Sequence, residues 1–364
     1  MAEKAGRIYA FDWLRGVAVL VMIQTHCVPL LLPALQTGEG YWRLVGIDGL
    51  VAPSFIFSAG FALALVQVRA GLAGKRGEAA KKSARRIAEV FAVATLINFI
   101  WFPMWREPKW IFRIDILHCI AISLGLLLPV LYLLATRPLL LRWVTLGLAL
   151  AVFCVSPLGE SVTGWPSLFL NVNFGVLDET TGAAFPLLPW AGYVFLGASF
   201  GATVASGTER SLWAWLGLLL GLGAVLWFFD RQIEALYPPH HFWVTNPANA
   251  ASRWTRVLAL VAVFRLIERR WPASAQTRFF KWLAAFGGAS LSAYFFHLMW
   301  LYERHVNLFV RWWRGQADWP TFWVLVAALI ALTWVTIQAW DKLEPRLRKL
   351  GARPTSAAPL PPAS

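Results

Sequence analysis

Charge is what this sequence has least of. Only 14% of its 364 residues are Asp, Glu, Lys or Arg, where soluble domains carry about a quarter. With 58% hydrophobic residues and a positive mean hydropathy, that shortage excludes an ordinary water-soluble globule. Acidic residues are scarcer than basic ones, 19 against 33, for a net charge of +14. The excess does not indicate nucleic acid, because the basic residues sit in short loops between apolar runs, as the positive-inside rule requires. Cysteine is rare: Cys27, Cys119 and Cys154 are scattered outside any metal-like spacing and read as small apolar fillers. No two histidines stand four apart on one helix, which excludes a helical zinc site, and no metal is expected. A phosphate-cradling glycine loop, a nucleophile elbow and a dinucleotide fingerprint are all missing. The first apolar run, Val17 to Leu32, lacks a small-residue cleavage pattern and is read as retained. There is no soluble domain and no internal repeat.

What is present is a series of apolar runs long enough to cross about 30 Å of hydrocarbon. Ten are expected, at about 12–32, 48–68, 84–102, 114–134, 139–157, 185–205, 211–229, 252–268, 282–302 and 321–341. The fold class is therefore all-α, a polytopic transmembrane bundle of about ten spans, with residues 1–350 as one domain and 351–364 as a disordered Pro/Ala-rich tail. The loop from Arg69 to Arg86 is the most basic and is placed in the cytoplasm, which puts both termini there too. The loops Arg106–Arg113 and Glu303–Arg314 are moderately basic exceptions on the outside. The long segment 158–184 falls outside as a small cap. Trp and Tyr at run ends, among them Trp42, Trp101, Trp110, Trp300, Tyr302 and Trp312, read as interfacial anchors. Ser54, Ser58, Gly60 and Ala64 in the second span read as close helix packing.

The first span, within RIYAFDWLRGVAVLVMIQTH, carries polar residues that a lipid-crossing helix should not hold without a reason. Asp12, Arg15, Val19, Met22 and His26 step by three or four residues and so form one stripe. Eleven steps of about 100° carry Arg15 to within about 20° of His26, roughly 16 Å along the axis. Ionisable groups at such depths face a bundle interior or wet cavity and mark functional paths; the plainer alternative is an Asp12–Arg15 pair at the helix mouth with a capping histidine. All six histidines fall on the external side of this topology. His26, His118 and His297 are embedded in apolar sequence, whereas His240, His241 and His305 read as water-facing helix ends. Asp48 and Asp115 open spans on the same side, and Asp115 and His118, three apart, share a helical face. On the inner side, Arg15, the Lys81–Arg86 run and the arginines near 265–270 could gather an anion, or could serve orientation alone.

FDWLRGVAVLVMIQTH, with Arg15 and His26 ten residues apart, resembles the first-helix motif of the acyltransferase-3 family of membrane acyltransferases. It is also similar to the related membrane group that includes heparan-α-glucosaminide N-acetyltransferase, with its Asp–x–x–Arg–Gly. APSFIFSAGFALAL (Ala52 to Leu65), RIDILHCIAIS (Arg113 to Ser123) and LSAYFFHLMW (Leu291 to Trp300) resemble further segments of these groups, while residues 135–280 match neither. The resemblance implies transfer of an acyl group from cytoplasmic acyl-CoA, often acetyl-CoA, to an acceptor on the far side. On that footing Arg15, with Asp12, Arg85 and Arg86, would hold the donor. His26 would be the general base, Asp48 or Asp115 would orient it, and His118 and His297 would be further catalytic candidates. The heparan-group histidine lies in the first external loop. This chain has none between Pro29 and Ala52, which leaves the role to His26 or His118, or leaves the chain without that chemistry. A covalent acyl-histidine and direct transfer both remain open.

The expected function is thus an integral membrane acyltransferase acting on a hydroxyl or amine of an extracytoplasmic glycan or envelope molecule, in a bacterial inner membrane. Its partners would be membrane lipid and the glycan acceptor, not nucleic acid, with a homodimer left open. The alternatives are a transporter or flippase using the same polar interior, and a structural membrane protein. The absence of a repeat favours the enzyme over the transporter.

Overall fold

The computed structural model describes residues 8–101, 114–161, 185–303 and 305–351. The loop Arg106–Arg113, most of the expected external cap at 158–184 and the tail beyond Gly351 lie outside the described residues. Among those described, the chain is helical and has no β-strand, apart from one isolated bridge between Leu31 and Ala317. The principal helices are α1 (Tyr9–Cys27), α2 (Glu39–Asp48), α3 (Val51–Leu72), α4 (Arg76–Trp101), α5 (Ile116–Leu134) and α6 (Pro138–Gly159). They are followed by α7 (Leu187–Ser206), α8 (Glu209–Phe228), α9 (Pro247–Arg270), α10 (Arg278–Gly288), α11 (Ser290–Tyr302) and α12 (Trp319–Gly351).

Seven helical stretches in the described residues are long and apolar enough to cross a membrane, which makes this an integral multi-pass protein. Of the ten expected spans, the three outside this set each show a visible interruption. The first half of α4 carries Arg76, Glu78, Lys81, Lys82, Arg85, Arg86 and Glu89. Along α9, Arg253, Arg256, Arg265, Glu268, Arg269 and Arg270 interrupt the apolar pattern. The ninth expected span is two helices of 11 and 13 residues, broken at Ala289. Gly287 and Gly288 weaken the helix just before the break, and Ala289 leaves it at φ −92°, ψ 21°.

The core is organised around α7, which is buried on nearly every side. A helix apolar all round belongs in the middle of a bundle, and its small residues let neighbours come close. Gly60 of α3 abuts the Val194 carbonyl, while Gly197 and Gly201 of α7 abut the Phe57 and Phe61 carbonyls. This is the close packing expected of the second span. Phe11, Phe57, Phe61 and Phe200 then join α1, α3 and α7 in one aromatic cluster.

Contacts also set helix directions. Gly16 meets α10 near Leu283 and Gly287, and ten residues further along each chain His26 meets His297. The broken pair α10–α11 therefore runs parallel to α1. Trp300 bonds Thr336 and Phe296 packs on Trp340, so α12 runs antiparallel to α11. The start of α1 and the end of α12 consequently lie at one end of the bundle.

Candidate active site

Helix α1 carries the site, and both its ends are tied down. Its first amide, on Tyr9, donates to Glu268 Oε1 of α9 at 2.9 Å. Arg265 holds that glutamate at 2.8 Å and reaches Glu209 of α8 at 2.5 Å. Asp12 sits in the first turn, where the helix dipole favours an anion, and Arg15 Nη2 bonds its Oδ1 at 2.5 Å. At the other end Pro29 stops the α-helix in a short 3₁₀ turn, Val28–Leu30. The loop ahead of α12 then pairs with that turn through Gly315, Gln316 and Ala317.

Asp12 and Arg15 open onto a cavity of about 310 Å³ that Arg69 and Ser58 also line, with Phe11 and Phe61 as apolar wall. Ser58 is 2% exposed and its hydroxyl has no hydrogen-bond partner among the described residues. A buried, unsatisfied hydroxyl beside two guanidinium groups suits the polar part of a ligand. Arg85 and Arg86, expected here, lie outside the cavity on the exposed face of α4, where Arg85 pairs with Glu89 at 3.0 Å. Arg69, at the end of α3, takes the place beside Arg15; the sequence showed it only as the first member of a basic block.

At the far end of α1 the structure joins two of the expected histidines. His26 Nδ1 lies 2.8 Å from His297 Nε2, and the rings stack at 4.9 Å. His297 is fully buried, and its Nδ1 lies 2.7 Å from the Ala293 carbonyl, which can only accept. Nδ1 of His297 therefore carries its proton. With both rings neutral, His297 Nε2 is the acceptor, His26 Nδ1–H the donor, and His26 Nε2 keeps its lone pair. The tautomers follow from the hydrogen-bond network. His26 itself is only partly buried. Its backbone carbonyl accepts from the Tyr302 hydroxyl at 2.7 Å, so Tyr302, an expected interfacial anchor, also braces the site.

Asp115 reaches this cluster through Tyr294, whose hydroxyl donates to Asp115 Oδ2 at 2.6 Å and whose ring stands edge-on to both histidines. His118 serves the helix: it forms a reciprocal capping box with Asp115 at the start of α5. Its other nitrogen lies 3.2 Å from Thr95 Oγ1. Asp48 is held by Gln24 of α1: with the Gln24 amide nitrogen turned towards it, the bond to Oδ1 is 3.0 Å. His240 and His241 bond Pro238 and Glu160, away from His26. Tyr294 was missed in sequence as a site residue, though it stands three before His297, the same spacing that links Asp115 to His118.

The cavity stops at Arg15. Val19, next on the stripe, is fully buried and Met22 is 5% exposed, so apolar side chains fill the interval that a continuous polar passage would need. Among the described residues no group of His, Cys, Asp and Glu could hold a metal.

No curated protein matches the chain. The family model for the catalytic domain of heparan-alpha-glucosaminide N-acetyltransferase matches residues 7–238, which include Arg15, His26, Asp48, Arg69 and Asp115 but not Tyr294 or His297. With the greater part of its length matched, the chain belongs to this family of membrane acetyltransferases.

Proposed function

We propose that the protein transfers an acetyl group from cytoplasmic acetyl-CoA to a hydroxyl or amine of a glycan or envelope molecule on the far side of a bacterial inner membrane, with His26 as general base. The observation that carries this reading is the free Nε2 of His26, held by a buried partner at the partly open end of α1. Members of this family use acetyl-CoA as donor. Here its anionic part would sit in the cavity with Arg15 and Arg69, and Ser58 would satisfy a further polar atom. Arg85 and Arg86 would contribute to the positive field around the mouth.

His26 Nε2 takes the proton from the acceptor as its oxygen or nitrogen attacks the thioester carbonyl. The carbon–sulfur bond then breaks, and the proton passes from His26 to the departing thiolate. A positioned base is worth about 10²- to 10⁴-fold. Asp115, held by Tyr294 and capped by His118, supplies negative charge near the imidazolium formed in that step. The cavity and His26 stand roughly 16 Å apart along α1, so the donor's arm must pass Val19 and displace Met22, an unbranched and adaptable side chain.

The test is transfer from labelled acetyl-CoA in purified protein, with glucosamine as probe acceptor. His26→Ala should lose at least about 10²-fold while acetyl-CoA still raises the melting temperature. Equal transfer by both proteins would remove His26 from the mechanism. Donor stabilisation with no transfer by the wild type would favour the transporter.

A further inference from the structure

A second cavity of about 470 Å³ lies on the outside of the bundle, between α4 and α5. Its walls are apolar: Ala84, Ala88 and Phe91 from α4 face Ala121, Gly125 and Leu128 from α5. The two helices are antiparallel, since Phe91 packs on His118 at one level and Arg76 on Tyr132 at another. A Cβ built at Gly125 meets nothing within 4 Å, so the groove is open there and not closed by a neighbour among the described residues.

One end of the groove is basic. Lys81 stands three residues before Ala84, hence on the same helical face, and is exposed. Arg76, also exposed, lies 5.0 Å from the ring of Tyr132, which follows Leu128 by four residues on α5. The acid at this end is Glu78, exposed and three residues before Lys81, but Lys75, Arg76, Lys81 and Lys82 outnumber it; Glu89, further along, is paired with Arg85. From Ala84 to Ala92 the groove runs about 12 Å along α4, close to half of a hydrocarbon layer about 30 Å thick. An apolar trough of one leaflet's depth that ends in two cations matches an acyl chain attached to an anionic headgroup; basic pockets between transmembrane helices are a recurrent form of lipid recognition.

We propose that this groove binds one anionic phospholipid, its phosphate at Lys81 and Arg76 and one acyl chain against Gly125. The site is separate from the acyl-transfer machinery and does not rest on it.

The experiment uses the full chain, delipidated in neutral detergent and titrated with phosphatidylglycerol or with phosphatidylcholine of the same chains in mixed micelles. Phosphatidylglycerol should raise the melting temperature by several degrees and phosphatidylcholine should not. That difference should vanish in the Arg76→Gln/Lys81→Gln double variant and in Gly125→Leu, which fills open space. Equal shifts with both lipids, a full shift in either variant, or the same shift with glycerol phosphate alone would overturn the proposal. So would an altered oligomeric state of Gly125→Leu, which would mean that another copy occupies the groove. Should Gly125→Leu fail to fold, counting retained phosphatidylglycerol by native mass spectrometry in the wild type and the double variant decides the question: equal retention rejects the site.

Discussion

Replacing His297 by leucine tests whether a residue outside the family-matched segment fixes the chemistry of one inside it. In the structure His297 does two things: it donates to the Ala293 carbonyl and accepts from His26 Nδ1–H. Leucine occupies similar space but does neither. A bond of this kind, once its partner is left unsatisfied in a buried place, is worth about 1–3 kcal/mol. At about 1.4 kcal/mol per tenfold, the fraction of His26 with a lone pair on Nε2 in the right orientation falls by about 5- to 150-fold. The expected result is a fall in kcat for acetyl transfer within that range, with KM for acetyl-CoA unchanged because the donor cavity is at the other end of α1. His297→Gln, whose amide oxygen can accept from Nδ1, should recover part of the loss, which a purely packing role would not produce. Stopped transfer assays with labelled acetyl-CoA, alongside donor-induced thermal shifts, read both quantities. A His297→Leu protein that turns over within twofold of wild type, while His26→Ala is inactive, would refute the orienting role.

Other consequences are more local. Met22→Trp should block transfer while leaving acetyl-CoA stabilisation intact, whereas Met22→Ala should transfer normally; a transfer rate unaffected by tryptophan would place the donor's route elsewhere. Arg69→Gln should weaken acetyl-CoA binding by about tenfold or more, as expected for a lost charge-assisted bond, with kcat at saturating donor unchanged; isothermal titration measures this directly. Gly60→Ala puts a Cβ 2.0 Å from the Val194 carbonyl and should cost about 1–3 kcal/mol or more, seen as a lower midpoint of thermal unfolding. Gly287→Ala, whose Cβ would lie 2.3 Å from the Asp12 carbonyl, should lower transfer, while Gly288→Ala, next to it with nothing within 4 Å, should be silent; equal activity in the two would dissociate the α1–α10 contact from catalysis.

Much of this arrangement was legible in the amino-acid sequence because it follows from helical periodicity. The stripe Asp12–Arg15–Val19–Met22–His26 is a one-helix property, and the structure does place a polar cavity at one end and a histidine cluster at the other. The Asp115–His118 relation is likewise local, although spacing could not say that it would be a helix cap. What periodicity cannot supply is which distant helix faces the stripe. The meeting of His26 with His297, 271 residues apart in sequence, depends on tertiary packing, as does the choice of Arg69 over Arg85 and Arg86 beside Arg15. Tyr302 reads as a membrane anchor because aromatic residues at helix ends usually are; its bond to the His26 carbonyl, a contact between distant helices, is not legible from spacing. The break at Ala289 is not legible from hydropathy, which counts apolar residues without registering where a helix is interrupted.

That break explains how a single neighbour can serve both ends of α1. The pair α10–α11 runs parallel to α1, and the contacts Gly16–Gly287 and His26–His297 are each separated by ten residues along their own chains. At the first contact the backbones all but touch, since a Cβ on Gly287 would lie 2.7 Å from the Gly16 nitrogen. At the second the helices must stand far enough apart to hold two imidazole rings stacked at 4.9 Å. The interruption at Ala289 separates the two contacts: α10 makes the close glycine contact beside Asp12, and α11 carries the histidine that meets His26. The donor end and the base end of α1 are thus set by two rigid pieces rather than one.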